Sequence, residues 1–258
     1  MDFGLRGRTA LVCGSSAGLG RACAEALLQA GATVVLNGRD AQRLQACVDE
    51  IFQATGVRLA SVAADVTTPD GRQALQRQCP EPDILVNNAA GPPTGTFEDW
   101  DEAQWQGAVN SNMVSPIMLI KAFIGPMRQR RWGRIINITS SAVKAPLPLL
   151  GLSNGARSGL TGFVAGLARE IAHEGITINN LLPGRFATGR LDAYLEKVAA
   201  ARGVDKAKAA EDVAAANPMK RFGRPAEFGM FCAFLASEHA SYMTGQNILL
   251  DGGEYPGL

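Results

Sequence analysis

The residues best suited to chemistry begin with a glycine cluster, Gly14-Ser15-Ser16-Ala17-Gly18-Leu19-Gly20. Glycines spaced G-x-x-x-G-x-G let the backbone turn tightly and approach a ligand with no Cβ in the way. A helix that starts at such a turn presents free N–H groups and the positive end of its dipole, which together hold a pyrophosphate. The preceding run, Thr9–Cys13, is apolar and β-rich, and Leu19, Cys23, Ala26, Leu27 and Ala30 then fall on one helical face. Between a strand and a helix, this pattern reads as a nucleotide-binding turn rather than a packing turn.

Other chemistries are thinly provided for. The two histidines, His173 and His239, cannot build a multi-histidine centre, and none of the five cysteines forms a C-x-x-C pair, so no metal is expected. Both histidines sit in polar runs and read as exposed or capping residues. A formal net charge of +1 gives no basic face for nucleic acid. No window is long enough to span a bilayer, and MDFGLRGR at the start holds no apolar leader. The scattered cysteines read as buried thiols in a reducing compartment, so a cytoplasmic protein is expected.

The elements that must position the turn alternate along the chain. Short apolar runs lie at Thr9–Cys13, Thr33–Asn37, Leu59–Ala63, Ile84–Asn87, Arg134–Thr139, Ile176–Leu182 and Asn247–Asp251. Most are apolar on both faces, as strands covered on both sides must be. Helix-period segments separate them, including Leu160, Phe163, Val164, Leu167 and Ile171, and Phe228, Phe231, Cys232 and Leu235. The spacing predicts an α/β fold of the doubly wound Rossmann type, a seven-stranded parallel sheet with helices on both faces in one domain over 1–258. One stretch departs from the alternation. From Gly189 to Asn217 the chain is rich in Ala and charge, with a break at Gly203. It reads as two helices, either a surface insertion or a lid over a substrate cleft at about 189–217.

Several motifs resemble the short-chain dehydrogenase/reductase family over essentially the whole chain. Gly14-x-x-x-Gly18-x-Gly20 resembles its nucleotide motif, with Cys13 where Thr is usual. Asn87-Asn-Ala89-Ala-Gly91 is similar to its N-N-A-G turn with one extra Ala, and Asp65-Val66 to the dipeptide at the adenine ring. Pro183-Gly184-Arg-Phe186-Ala-Thr188 resembles the P-G turn and the Thr that meet the nicotinamide carboxamide, and the tail from Arg221 to Gly253 follows the family over some thirty positions. The resemblance implies a nicotinamide cofactor. The second strand ends at Asn37, followed by Gly38-Arg39. A carboxylate here would accept from ribose hydroxyls and repel a 2′-phosphate, whereas Arg39 can pair with that phosphate unless it points to solvent. NADP(H) is therefore favoured and NAD(H) remains possible.

The family's chemistry implies a Ser after the fifth strand, a Tyr-x-x-x-Lys opening the next helix, and an Asn on the preceding helix that holds a water. Ser140 occupies the Ser position, with Ser141 its neighbour, and Asn112 the Asn position, with Asn110 the runner-up. The pair is altered: Ser153 stands for Tyr and Arg157 for Lys. A Ser hydroxyl is far less acidic than a phenol and shorter in reach, and Arg fixes charge but relays no proton. None of the three tyrosines, Tyr194, Tyr242 and Tyr255, restores the motif. Ser153 is placed either to cap the helix beginning near Asn154, to join a relay, or to do both. Lys144 is either a solvated loop lysine or a replacement proton source with a lowered pKa. Arg185 and Arg190 either face solvent or bind an acidic or phosphate-bearing substrate.

The helix from Arg157 to His173 carries Gly159, Gly162 and Gly166, which packs against its own sheet or, as the resemblance implies, builds a homodimer or homotetramer. Three functions stay open: an NADP(H)-dependent oxidoreductase acting on a small-molecule ketone or secondary alcohol, like a 3-oxoacyl-carrier-protein reductase; a dinucleotide-binding protein without turnover; and a non-redox enzyme on the same scaffold.

Overall fold

The computed structural model describes residues 2–257. Seven strands form one sheet: β1 (Thr9–Val12), β2 (Thr33–Gly38), β3 (Ala60–Ala63), β4 (Ile84–Asn87), β5 (Gly133–Ile138), β6 (Ile176–Pro183) and β7 (Asn247–Leu250). Their order is β3-β2-β1-β4-β5-β6-β7, and every pairing is parallel. The predicted runs are all strands, with ends shifted by one residue or so.

Alternation of side chains sorts each strand between two layers. Val35, Leu11, Leu85, Ile135 and Ile178 stand in register across five strands. They enter one core with Leu119, Phe123, Leu160 and Val164. The neighbouring positions Val34, Leu36, Val12, Val86 and Ile136 enter the other core, with Cys23, Leu27, Leu44, Ile51, Phe228 and Cys232. The first layer is covered by α3 (Pro69–Gln78), α5 (Ser115–Arg130) and α6 (Gly151–Ile171). The second is covered by α1 (Gly18–Gln29), α2 (Ala41–Thr55) and α9 (Pro225–Ala236).

Two further elements bear on the site. The helix α4 (Glu102–Val109) runs into a π-turn, Asn110–Val114, before α5. The Ser115 N–H bonds back to Asn110 O, and the Ser115 hydroxyl donates to the same oxygen at 2.7 Å. The Ala-rich stretch forms α7 (Gly189–Arg202) and α8 (Lys206–Ala216), broken at Gly203 with φ 66°. Lys206 joins the two by pairing with Asp192 at 3.0 Å and Glu196 at 3.2 Å.

Sheet order reverses between β1 and β4, which opens a crevice at their carboxyl ends. The glycine turn after β1 and the Asn87–Gly91 turn after β4 flank that crevice. One polar row crosses the sheet beside it. Asn87 donates to Asn137 at 2.9 Å, Asn137 to Asn180 at 3.1 Å, and Asn180 to Asn247 at 2.8 Å. These four residues are register partners on four adjacent strands.

Candidate active site

The glycine turn is built as its spacing predicts. Gly14 and Gly18 have φ of 56° and 59°, left-handed values that side chains rarely adopt. A Cβ on Gly20 would lie 2.3 Å from Gly14 O, so the helix sits directly on the turn. No side chain caps the first turn of α1, which leaves its N–H groups open. That cradle fits a pyrophosphate.

Three polar side chains brace the turn from behind. The buried Ser15 hydroxyl donates to Val12 O at 2.8 Å and accepts from Asn37 N at 3.0 Å. Asn88, which sequence reasoning passed over, donates to Gly14 O at 3.0 Å. The Asn37 amide donates to Val62 O and Ala64 O, each at 3.0 Å. The Asn37 side chain is therefore buried, tying the glycine turn to the backbone at the end of β3.

Beyond it, Ser16 packs against Gly38, where a Cβ would meet the Ser16 Oγ at 3.3 Å. The Arg39 side chain is 67% exposed and lies 3.9 Å from Asp65, too loose to be tied down. Burial opposes ionisation of Asp65, but the Thr67 N–H at 2.9 Å, its hydroxyl at 2.7 Å and Arg39 together hold the carboxyl below its ordinary range. Val66 is buried in the core beside it.

The catalytic-position residues gather where β5 ends. Ser140 has extended backbone, and its Oγ accepts from Ala142 N at 3.2 Å. Its own hydroxyl hydrogen is uncommitted. Asn112 lies in the π-turn, buried, and donates to Ser111 Oγ at 2.7 Å. The extra residue of a π-turn rotates the side chain, and such turns recur at functional sites. Asn110 is aimed elsewhere, making only a 3.5 Å contact to Thr67 O.

Ser153 and Arg157 both lie inside α6, which starts at Gly151, with Leu150 at its N-cap. The capping expectation for Ser153 is therefore corrected. Asn154 N bonds to Leu150 O at 2.8 Å, so the first turn closes before Asn154. Arg157 is buried, its Nε donating to Ser153 Oγ at 3.2 Å and its Nη1 to Ile138 O at 2.7 Å. No carboxylate lies within ion-pair distance of it among the described residues. Desolvation, then repulsion by Arg190, pushes its pKa down to about 10, so it stays charged at neutral pH. Beside it a small polar cavity, lined by Asn87, Ala89, Asn112 and Arg157, leaves about 10 Å³ for the centre of a water molecule. That is roughly the least space that admits one. The Oδ1 atoms of Asn87 and Asn112 are buried without partners, and a water there would donate to both.

Lys144 is exposed at the end of a short 3₁₀ turn, Ser141–Val143.

On the far wall, Gly184 N bonds to Leu250 O at 2.8 Å, joining the Pro183-Gly184 turn to the end of β7. Phe186 lies two residues past Gly184 on the same wall. Its ring turns into the core, edge-on to Phe228 at 5.2 Å, so any ligand contact is left to its backbone. Thr188 stands opposite Gly18, whose Cβ would meet the Thr188 methyl at 3.8 Å. Arg190 reaches back across the cleft to Gly91, whereas Arg185 pairs with Glu254.

Fold, glycine cradle and switch-point crevice together define a dinucleotide-binding α/β protein. Residues 14–254 match the family described as Enoyl-(Acyl carrier protein) reductase. The chain is 34% identical over 251 residues to the NADPH-dependent reductase BacG of Bacillus subtilis, covering 95% of this chain and 97% of the relative. It is 31% identical over 261 residues to the 3-oxoacyl-(acyl-carrier-protein) reductase FabG of Aquifex aeolicus, covering 99% and 100%. The structure of L-sorbose reductase from Gluconobacter frateurii, complexed with NADPH and L-sorbose, superposes with a TM-score of 0.94 at 32% identity over all of both chains. The chain belongs to the short-chain dehydrogenase/reductase family.

Proposed function

We propose that this protein is an NADP(H)-dependent oxidoreductase that interconverts a ketone and a secondary alcohol with an altered proton relay. The observation that carries it is the buried Ser153–Arg157 pair, anchored to the end of β5 beside Asn112, in the positions of the family's Tyr and Lys. The names of its relatives, an NADPH-dependent reductase, a 3-oxoacyl-(acyl-carrier-protein) reductase and an L-sorbose reductase complexed with NADPH, support the cofactor and the reaction class.

The residues of the cleft fit NADP(H). Gly14, Gly18, Leu19 and Gly20 would hold the pyrophosphate, and Ser16 and Arg39 the 2′-phosphate. Asp65 and Val66 would flank the adenine, Ala89 and Gly91 the ribose chain, and Pro183, Gly184 and Thr188 the carboxamide. When bound, the cofactor supplies or accepts the hydride. Ser140 donates its free hydrogen to the carbonyl oxygen as charge develops there. Ser153 already accepts from Arg157, so its hydrogen is also free, and it passes that proton to the oxygen. A water held by Asn112 and Asn87 then returns a proton to Ser153 and takes one up from bulk solvent, while Arg157 stays charged and stabilises the transient negative charge. The helices α7 and α8 serve as the lid, tied to the loop after β4 by Lys197 and Thr94 at 3.2 Å. Without a phenol, turnover is expected to run about 10²–10⁴-fold below that of members with one.

The test pairs fluorescence titrations of NADPH and NADH with a panel of 3-oxoacyl thioesters and sugar ketones. NADPH is expected to bind more tightly, at least one ketone to be reduced, and Ser140→Ala to cut kcat about 10²-fold with NADPH affinity unchanged. Tight NADPH binding with no turnover across the panel would overturn the redox reading. Equal or tighter NADH binding would overturn the cofactor preference.

A further inference from the structure

The first turn of α7 brings a second unpaired arginine into the cleft. A Cβ on Gly91 would lie 1.8 Å from Arg190 Nη1 and 2.4 Å from Cζ, so the guanidinium rests on the backbone of the turn after β4. It therefore spans the crevice from one wall to the other. Arg190, like Arg157, has no carboxylate within ion-pair distance among the described residues, although many other arginines do, including Arg21, Arg185 and Arg221. Arg190 is exposed as a residue, yet the cleft walls around its guanidinium desolvate the charge enough to lower its pKa. The two guanidinium groups also repel each other.

Their surroundings add positive potential rather than relieve it. The Thr188 side chain, at the N-cap of α7, accepts from no N–H of that helix, so the N–H groups of its first turn stay open. The uncapped start of α1 faces them across the Gly18–Thr188 contact. Two unpaired arginines and two helix N-termini thus converge on one space. Holding like charges together in a partly desolvated site is costly unless an anion joins them. Arg presents a planar fork matched to two oxygens of a phosphate or carboxylate.

We propose that Arg190 is an oxyanion-binding residue, closing on a phosphate or carboxylate that the ligand carries into the cleft and that also offsets the charge of Arg157. The inference rests on the reading of this chain as an NADP(H)-dependent oxidoreductase. The oxyanion has two possible sources, the pyrophosphate of the cofactor or an acidic group of the substrate. The chemistry at Arg190 is the same in both.

Arg190→Met and Arg190→Lys, compared with the wild type, test it. Three quantities are read: NADPH affinity by fluorescence, the melting-temperature rise given by inorganic pyrophosphate, and kcat/KM for acetoacetate relative to its methyl ester. If the oxyanion is the cofactor's, Arg190→Met weakens NADPH 10–100-fold and abolishes the pyrophosphate-induced rise, while the acetoacetate-to-ester ratio holds. If it is the substrate's, NADPH affinity holds and the ratio falls at least tenfold. Arg190→Lys, keeping the charge but losing the fork, lies between wild type and Arg190→Met. Binding and melting are read without turnover, so the cofactor outcome at Arg190 is decided even where no ketone of the panel is reduced, the result that sinks the redox reading. NADPH affinity and pyrophosphate response unchanged within twofold in Arg190→Met, with no shift in any measurable substrate ratio, overturns the proposal.

Discussion

Arg157 is the residue on which the chemistry turns. Its guanidinium is held at two points, Ser153 Oγ and Ile138 O, and burial lowers its pKa to about 10 without removing its charge near neutrality. The folded-state pKa is depressed, so from pH about 10 up to the higher pKa of the unfolded chain the unfolded chain binds more protons. Stability attributable to this group therefore rises across that window and is constant below it. A lysine here starts from a lower intrinsic pKa and meets the same desolvation, so it loses its charge much nearer neutrality. Arg157→Lys is expected to lower kcat about tenfold at pH 7. It should also shift the alkaline limb of the pH–rate profile down by more than one unit, where the wild type holds to about pH 10. An unshifted limb would show that Arg157 does not set it. The positions of Ser153 and Arg157 were legible from the resemblance to the family's Tyr-x-x-x-Lys motif. Their mutual bond, the inward turn of Asn37 and the inward ring of Phe186 were not, because a buried polar or aromatic side chain and a ligand-facing one look alike in a sequence.

Among the elements, the pairing of α1 with α9 is the tightest constraint on the cradle. A Cβ on Gly229 would lie 2.2 Å from Ala22 O, so the helices meet backbone to backbone behind the glycine turn. Gly229→Ala gains about 1 kcal/mol of helix propensity but forces this contact apart, and overpacking typically costs about 1–3 kcal/mol. A net loss is expected, lowering the melting temperature by about 2–4 °C per kcal/mol, with weaker NADPH binding as α1 shifts. A variant as stable as the wild type would mean that the two helices can separate freely. Strand positions were readable because strands covered on both faces are apolar throughout. The start of α6 was misplaced because Gly151 and Leu152 carry no capping signal, and Leu150 starts the helix by backbone alone. The π-turn at Asn110–Val114 has no sequence signature, since it adds one residue to an otherwise helical pattern.

At the scale of the whole molecule, the outer face of α6 is where assembly is expected. Gly155 and Gly159 are covered by Trp105 and Met113 from the same chain, whereas Gly162 and Gly166 have nothing within 4 Å of a Cβ position. This separates the stripe that the sequence offered as a unit: its first half packs internally and its second half is open to a partner. We propose a homodimer or homotetramer through that face. Light scattering at micromolar concentration is expected to give twice or four times the chain mass, and Gly162→Leu with Gly166→Leu to shift it toward monomer. A wild-type monomer would remove the proposal.

The asparagine row gives the sheet a sense of direction. In each step the amide hydrogens point the same way, from β4 toward β7. Turning one amide over would set oxygen against oxygen on one side and nitrogen against nitrogen on the other, so the four must turn together or not at all. The unpartnered oxygen of Asn87, which faces the water-sized cavity, is therefore fixed in part by Asn247 on the edge strand, about 14 Å away by strand spacing. Whatever occupies the rim of the sheet at Asn247 helps decide whether the cavity beside Arg157 presents an oxygen or a nitrogen to its water.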